Sequence, residues 1–142
     1  MAATANRLYR WSLHPLHAVL LAATLTLFLA ALLSDIAYGE SYEVQWTNFA
    51  SWLIAGGLVF GGCVLLWALI DLIRADDRRG RPLVYFLLVL ATWVLGFINA
   101  LIHAKDVWAS MPDGLILSAI VVVLAVAATW IGFSTLREGA TR

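Results

Sequence analysis

Four long apolar runs alternate with short polar segments along this chain. The runs cover about residues 15–34, 47–71, 82–103 and 114–133. Each is long enough for a helix to cross roughly 30 Å of hydrocarbon, and none alternates with the period of a strand. Because the connections are short, neighbouring helices are expected to be antiparallel. The pattern predicts one all-α domain, an integral membrane four-helix bundle with up-down-up-down topology.

Two boundaries of these runs are set by charge. Asp35 is predicted to end the first span, and residues 36–46 are predicted to form an acidic loop that contains no cation. Between the second and third runs lies a basic hinge over residues 71–81, with four arginines. The segment 104–113 is predicted to be a second short loop, on the same side as the acidic one.

The cations are distributed unevenly between the two ends of the predicted bundle. All eight arginines fall in the N-terminal segment, the hinge or the C-terminal tail, whereas the opposite connections carry only Lys105. The positive-inside rule therefore predicts that both termini are cytoplasmic. Arg7 and Arg10 before an apolar run would also suit a cleaved signal peptide. The two histidines that open the run, His14 and His17, favour a retained transmembrane helix.

Composition supports a lipid environment and excludes several function classes. The chain is 63% hydrophobic and 13% charged, more apolar than a soluble domain of 142 residues could bury. It has no basic, aromatic-rich stretch typical of nucleic-acid binding. The single cysteine, Cys63, allows no intrachain disulfide. No hydrolase, metalloprotease or phosphate-loop motif is present, so we expect no independent catalytic activity.

The first candidate site lies at the hinge end of the bundle. His14 and His17 are three residues apart and share a helical face, a spacing compatible with metal or haem ligation. Asp71 ends the second span at the same depth. The structural alternative is a neutralising hydrogen bond between His17 and Asp71, and a proton-transfer role is a third possibility. Two histidines and one aspartate do not complete a tetrahedral zinc site within one chain.

The second candidate site lies at the opposite end. Asn99 and His103 are four residues apart near the end of the third span, and Asp35 is at the same depth on the first. Polar groups in lipid are costly and often functional. Alternatively, the three side chains only hydrogen-bond to one another and lock the helix ends together. Met111, eight residues after His103, is a candidate thioether ligand.

Depth separates the two sites. On this topology His17 and His103 lie about 30 Å apart, at roughly 1.5 Å per helical residue. The two axial ligand atoms of a haem iron are only about 4 Å apart. The sequence therefore predicts that His17 and His103 of one chain cannot hold one haem. Two other arrangements of haem b stay open: the haem bridges two protomers, or it uses a single histidine as ligand.

Several of these positions together resemble a known family. They are His14-Pro15, Asp35, Trp52, Asp71 and the segment from Asn99 to Pro112. In order and spacing they resemble the bacterial membrane proteins of domain-of-unknown-function family 2231, over about residues 13–133. The resemblance implies a four-span, multi-pass protein of a bacterial inner membrane whose activity is not established. Its general shape is similar to that of four-helix cytochromes b, which makes haem a hypothesis by analogy.

Three functions follow as hypotheses. The first is a redox or cofactor-binding subunit, with His14, His17 and His103 as candidate ligands and a dehydrogenase or oxidase as partner. The second is a small ion, proton or solute transport protein, with polar residues at both ends of a path. The third is a purely structural membrane anchor whose polar residues fix helix register. In each case we expect the chain to act in the lipid bilayer as a homodimer or other homo-oligomer.

Overall fold

The computed structural model describes residues 13–140, with side chains described as far as residue 134. Over that range the chain forms five helices and no strand: α1 (Pro15–Ser41), α2 (Val44–Arg74), α3 (Arg81–His103), the short α4 (Val107–Ser110) and α5 (Asp113–Ala140). The all-α prediction is therefore confirmed. The predicted basic segment with Arg7 and Arg10, and the side chains of the charged tail, lie outside the described residues.

The four long helices pack in a ring. α1 and α3 each contact both α2 and α5, so α1 faces α3 across the bundle and α2 faces α5. Two hydrogen bonds cross the α1–α3 diagonal: His17 is bonded to Tyr85 near the start of both helices, and Asp35 to His103 near their ends. α1 and α3 therefore run in the same direction. This is the order that the predicted up-down-up-down four-helix bundle requires.

The ends of the helices follow from local chemistry. Pro15 occupies the first turn of α1, where its missing N–H leaves no donor unpaired, and the Nδ1 atom of His14 accepts a hydrogen bond from the backbone N–H of Leu16 at 3.1 Å. Tyr42 ends α1 in the left-handed conformation, with φ 58°, and its N–H donates to the carbonyl oxygen of Tyr38. Gly80, with φ 77°, precedes α3, and a residue with a side chain would be strained there.

The predicted loop over residues 36–46 is wrong. Ile36 to Ser41 continue α1, Val44 to Trp46 begin α2, and only Tyr42 and Glu43 connect the two helices. Asp35 consequently lies inside α1 with its side chain fully buried, and it does not end the helix. The second predicted loop, residues 104–113, contains the single turn of α4. The connection between α2 and α3 lies within the predicted basic hinge, over residues 75–80.

The interior is closely packed where α1, α2 and α3 meet. The buried ring of Phe28 lies between Gly57 on α2 and Gly96 on α3, and a Cβ atom at either glycine would come within about 3.0 Å of that ring. Gly57 and Gly61, four residues apart on α2, let α1 and α2 approach closely, because a Cβ atom at Gly61 would lie 3.3 Å from the side chain of Thr24. These contacts join the helices by close packing.

The outer surface of the bundle is apolar. All four long helices are long and apolar enough to cross a membrane. Large side chains such as Trp52 (78% exposed) and Val59 (67% exposed) point outward, which is stable only against lipid. An indole N–H in an apolar environment needs a partner, and that of Trp93, near the middle of α3, donates to the carbonyl oxygen of Leu58 at 3.0 Å. The chain is an integral membrane protein.

Candidate functional site

Three helices bring polar side chains together at the end of the bundle where α1 meets α2. We call this group the His103 cluster: Asp35 from α1, Asn99 and His103 from α3, and Ser118 from α5. All four side chains are buried, with Asp35 at 0% and His103 at 6% exposure. Four polar side chains removed from water in this way are stable only if they satisfy one another.

The His103 cluster is a continuous hydrogen-bonded chain. The amide of Asn99 donates to the hydroxyl of Ser118 at 2.8 Å, and that hydroxyl donates to Oδ2 of Asp35. Oδ1 of Asp35 lies 2.9 Å from Nε2 of His103. The other ring nitrogen, Nδ1, lies 3.0 Å from the backbone carbonyl oxygen of Asn99, one turn back on α3. The chain thus ties α1 to both α3 and α5.

Two features of the His103 cluster go beyond these bonds. The side-chain oxygen of Asn99, Oδ1, is buried without a hydrogen-bond partner, an arrangement that costs about 1–3 kcal/mol. Gly114, in the first turn of α5, packs against the imidazole of His103, and a Cβ atom there would lie 2.8 Å from Cε1 of the ring. The start of α5 can therefore reach the ring only because residue 114 has no side chain.

A second polar group lies at the opposite end of the bundle. We call it the His17 cluster: His14, His17, Trp67, Asp71 and Tyr85. Nε2 of His17 is 2.6 Å from the hydroxyl of Tyr85, and its ring lies edge-on to Trp67. The half-buried carboxylate of Asp71 acts electrostatically on the hydroxyl of Tyr85. The predicted hydrogen bond between His17 and Asp71 is therefore replaced by one to Tyr85, which is close to both.

His14 has a different environment from His17. Its ring is exposed and lies 5.3 Å from Trp67, tilted by 32°. Because Nδ1 accepts the hydrogen bond that caps α1, the proton of the neutral ring is on Nε2. His14 is thus held as a helix cap, while His17 is buried at 1% exposure.

The two clusters lie far apart. Tyr85 and His103 are five helical turns apart on α3, which corresponds to about 27 Å. The structure places His17 and His103 at opposite ends, as the sequence predicts, so one haem iron cannot bind both within one chain. Met111 follows α4 and is half-buried. Both ring nitrogens of His103 are already hydrogen-bonded.

The described residues offer a poor fit for haem or a metal ion. Residues 13–134 contain no group of three or more histidine, cysteine or acidic side chains arranged to hold a metal. An open cavity of about 450 Å³ is a groove along α2 lined by Cys63, Leu66, Trp67, Ile70, Asp71 and Arg74. None of the three histidines lines it. Nδ1 of His17 is buried without a hydrogen-bond partner, but His17 does not line this groove.

Between the clusters the interior of the bundle is apolar. A small cavity of about 10 Å³ lies at mid-depth, lined chiefly by apolar side chains such as Phe28 and Val64, and a space of that size holds about one water. The hydroxyls of Thr24 and Thr92 face this region, but each donates to a carbonyl oxygen one turn back on its own helix. No chain of polar groups joins the two clusters across the described residues.

Sequence reasoning missed two members of the clusters. Ser118 is a hydroxyl in a span without charged residues, and Tyr85 is an aromatic residue near the start of the third span, so neither attracted attention as a site residue. Depth gives a signal for both residues. Ser118 lies about as many residues from the start of α5 as Asn99 lies from the end of α3. Tyr85 lies near the start of α3, and His17 lies near the start of α1. Matching polar residues by depth across all four spans would have found them.

Comparison with known proteins identifies the family but no activity. Residues 13–139 match the family model described as a predicted membrane protein, DUF2231. The match covers most of the chain, so the protein belongs to this family, as the sequence motifs suggested. No curated protein matches the chain. No solved structure matches it either.

Proposed function

We propose that this member of the DUF2231 family is a structural membrane module, a rigid four-helix anchor without catalytic activity of its own. The observation that carries the proposal is the position of its buried polar groups. The two polar pairs that cross the α1–α3 diagonal, His17–Tyr85 and Asp35–His103, lie at opposite ends of the bundle, with apolar packing between them. Such pairs fix the register of two helices that face each other across the diagonal of the bundle.

The redox hypothesis from the sequence receives less support. A haem or metal ligand needs an imidazole nitrogen with a lone pair and room beside it. Both nitrogens of His103 are hydrogen-bonded, the buried His17 bonds Tyr85, and His14 accepts the cap of α1. Binding a cofactor at His103 or His14 requires that an existing hydrogen bond breaks, whereas Nδ1 of His17 has no hydrogen-bond partner but is buried. The transport hypothesis also receives less support, because the middle of the bundle is apolar and the described residues there form no chain of polar groups.

The proposal also includes the cellular setting. We place the chain in a bacterial inner membrane with both termini in the cytoplasm, on the basis of the arginine distribution and the family. Assembly as a homodimer or larger homo-oligomer, and association with a membrane partner, remain predictions.

Thermal unfolding of the protein in lipid nanodiscs tests the anchor hypothesis. His103→Ala leaves the buried carboxylate of Asp35 without its partner, which is expected to cost about 3–5 kcal/mol. His14→Ala is the matched control, because the same substitution at an exposed cap is expected to cost about 1 kcal/mol. The anchor hypothesis predicts a large fall in the unfolding midpoint for the first variant and a small fall for the second.

Two further measurements separate the rival functions. Protein purified from its own host is expected to show no Soret absorbance; a Soret band that His103→Ala or His17→Ala removes would replace the anchor hypothesis with the redox one. Liposomes that contain the protein are expected to be no more permeable to protons than empty ones. A proton flux that Asp71→Asn abolishes while the fold is retained would establish transport instead.

A further inference from the structure

We infer that the His103 cluster is a binding site for one exchangeable proton, shared between Asp35 and His103, and that this proton latches α1 to α3 and α5. This goes beyond the anchor role, because the hydrogen bonds that join α1 to α3 and α5 would then depend on the pH of the aqueous phase at that end of the bundle. We call these hydrogen bonds the latch. The inference rests on the directions of the hydrogen bonds in the cluster, which are fixed by their partners.

The donor at each position can be assigned. The backbone carbonyl oxygen of Asn99 can only accept, so Nδ1 of His103 carries a hydrogen. The hydroxyl of Ser118 accepts from the amide of Asn99 and donates its own hydrogen to Asp35, so Oδ2 of Asp35 carries none. The remaining contact, between Nε2 of His103 and Oδ1 of Asp35, spans 2.9 Å and requires one hydrogen between the two atoms.

That last hydrogen is the exchangeable proton. On Nε2 it makes the pair an imidazolium and a carboxylate; on Oδ1 it makes a neutral imidazole and a carboxylic acid. The pair contains the same number of protons in both forms and has no net charge. Both forms satisfy every hydrogen bond of the cluster, and neither carries an uncompensated charge into the membrane.

Removing or adding one proton breaks the chain. Without the shared proton, the neutral imidazole has one N–H for two acceptors. Either Nε2 faces the carboxylate of Asp35 with a lone pair, or Nδ1 faces the carbonyl oxygen of Asn99 with one, so one of the two contacts becomes repulsive. With one proton too many, an imidazolium lies beside a carboxylic acid, the pair gains a net charge, and a hydrogen on Oδ2 meets the donating hydroxyl of Ser118. The latch is therefore complete only in the state with one proton.

At this end of the bundle, Asp35 and His103 are the buried acid and base among the described residues. Residues 44–62 of α2 contain no ionisable side chain. The other ionisable groups on the adjoining elements are the buried Tyr38 of α1 and six exposed residues of α1, the connections and the start of α5: Glu40, Tyr42, Glu43, Lys105, Asp106 and Asp113. Because His103 is the last residue of α3 and the residues after it are exposed, water can reach the ring over a single turn.

Amide hydrogen exchange of the protein in nanodiscs tests the inference. The measurement follows the amides of residues 33–41 in wild type and in Asp35→Asn, from acid to alkaline pH. Comparing the same amides in both proteins cancels the intrinsic pH dependence of exchange. We expect wild type to exchange about tenfold more slowly than Asp35→Asn at the optimum, since one buried charged hydrogen bond contributes about that factor. The two rates are expected to converge at both pH extremes.

Ser118→Ala provides a second variant that keeps the Asp35–His103 pair. Its substitution removes the donor that opposes an extra proton on Asp35, so protection is expected to persist at acid pH and to disappear at alkaline pH as in wild type. His17→Gln is the control, and it should leave the exchange of residues 33–41 within about twofold of wild type at every pH, because its cluster lies about 27 Å away.

Two results would overturn the inference. The first is a ratio between Asp35→Asn and wild type that stays constant over the whole pH range, since a structural hydrogen bond without an exchangeable proton gives that result. The second is a Ser118→Ala variant that loses protection at acid pH as steeply as wild type does, because the direction of the Ser118 bond would then be wrong.

Discussion

Substitution of Gly57 by alanine probes the closest helix contact in the bundle. The new Cβ atom would lie 2.9 Å from Cε1 and about 3.0 Å from two further atoms of the Phe28 ring. These distances are shorter than carbon atoms tolerate without movement. The ring cannot move toward α3, because Gly96 already approaches it so closely that a Cβ atom there would be 3.0 Å away. Either α2 must move away from α1, or Phe28 must leave its rotamer.

The expected cost follows from overpacking. Inserting one methyl group into a tightly packed interior costs about 1–3 kcal/mol. Replacing glycine by alanine within a helix returns about 0.5–1 kcal/mol of backbone entropy. The packing cost exceeds this gain, so we expect a net loss of about 1–2 kcal/mol. A chain of this size loses roughly 2–4 °C in unfolding midpoint per kcal/mol.

Gly39→Ala is the matched control for this experiment. Gly39 also lies within a helix, near the end of α1, and a Cβ atom there would have no other atom within 4 Å. The same chemical change should therefore leave the unfolding midpoint unchanged or raise it slightly. Thermal unfolding of both variants in the same nanodiscs isolates the packing term, because the backbone term is common to both.

A rescue variant makes the reasoning refutable. Phe28→Leu shortens the side chain that blocks residue 57, so in combination with Gly57→Ala it should recover part of the stability that the single variant loses. The two substitutions are expected to be strongly non-additive, as is usual for residues in contact. If Gly57→Ala unfolds at the same temperature as Gly39→Ala, or if Phe28→Leu adds its full cost to that of Gly57→Ala, the packing of α1 against α2 is not as described.

Three further predictions follow from other contacts. Tyr85→Phe removes the partner of the buried His17 and should lower the free energy of unfolding by about 1–3 kcal/mol in thermal unfolding. Trp93→Phe leaves the side-chain stacking in place but loses the hydrogen bond to Leu58, so a loss of about 1 kcal/mol and a change in tryptophan fluorescence are expected. A membrane-impermeant amine reagent applied to intact cells should label Lys105, the sole lysine, and labelling only after lysis would reverse the predicted orientation.

Hydropathy was the feature from which the sequence predicted the four long helices correctly. An apolar run in lipid has few alternatives to a helix, because every backbone polar group must be satisfied within the segment. The four long helices follow from that rule alone. The close approach at Gly57 and the hydrogen bond of Trp93 also follow from local requirements, namely a missing side chain and an indole donor in an apolar environment.

The boundary at Asp35 shows where such reasoning fails. A charged residue after an apolar run usually marks the end of a span, because an isolated charge in lipid is costly. Asp35 is not isolated, since His103 and Ser118 both hydrogen-bond its carboxylate. These hydrogen bonds lower the cost of burying the carboxylate, so the helix need not end at Asp35, and α1 continues to Ser41. Partners that lie far away in the chain determine this boundary, so a reading of the local pattern places it too early.

The pairing of the clusters nevertheless has a signal in the sequence. His17 and Asp35 lie 68 positions before Tyr85 and His103 respectively, so the two pairs share one register. The members on each helix are five full turns apart, at about 3.6 residues per turn, and therefore lie on the same face. In a bundle where α1 and α3 are parallel, a polar residue five turns before Asp35 must face a residue five turns before His103. That position is Tyr85, and the same argument explains why neither histidine can reach the other: one rigid register sets both bonds at opposite ends of the same diagonal.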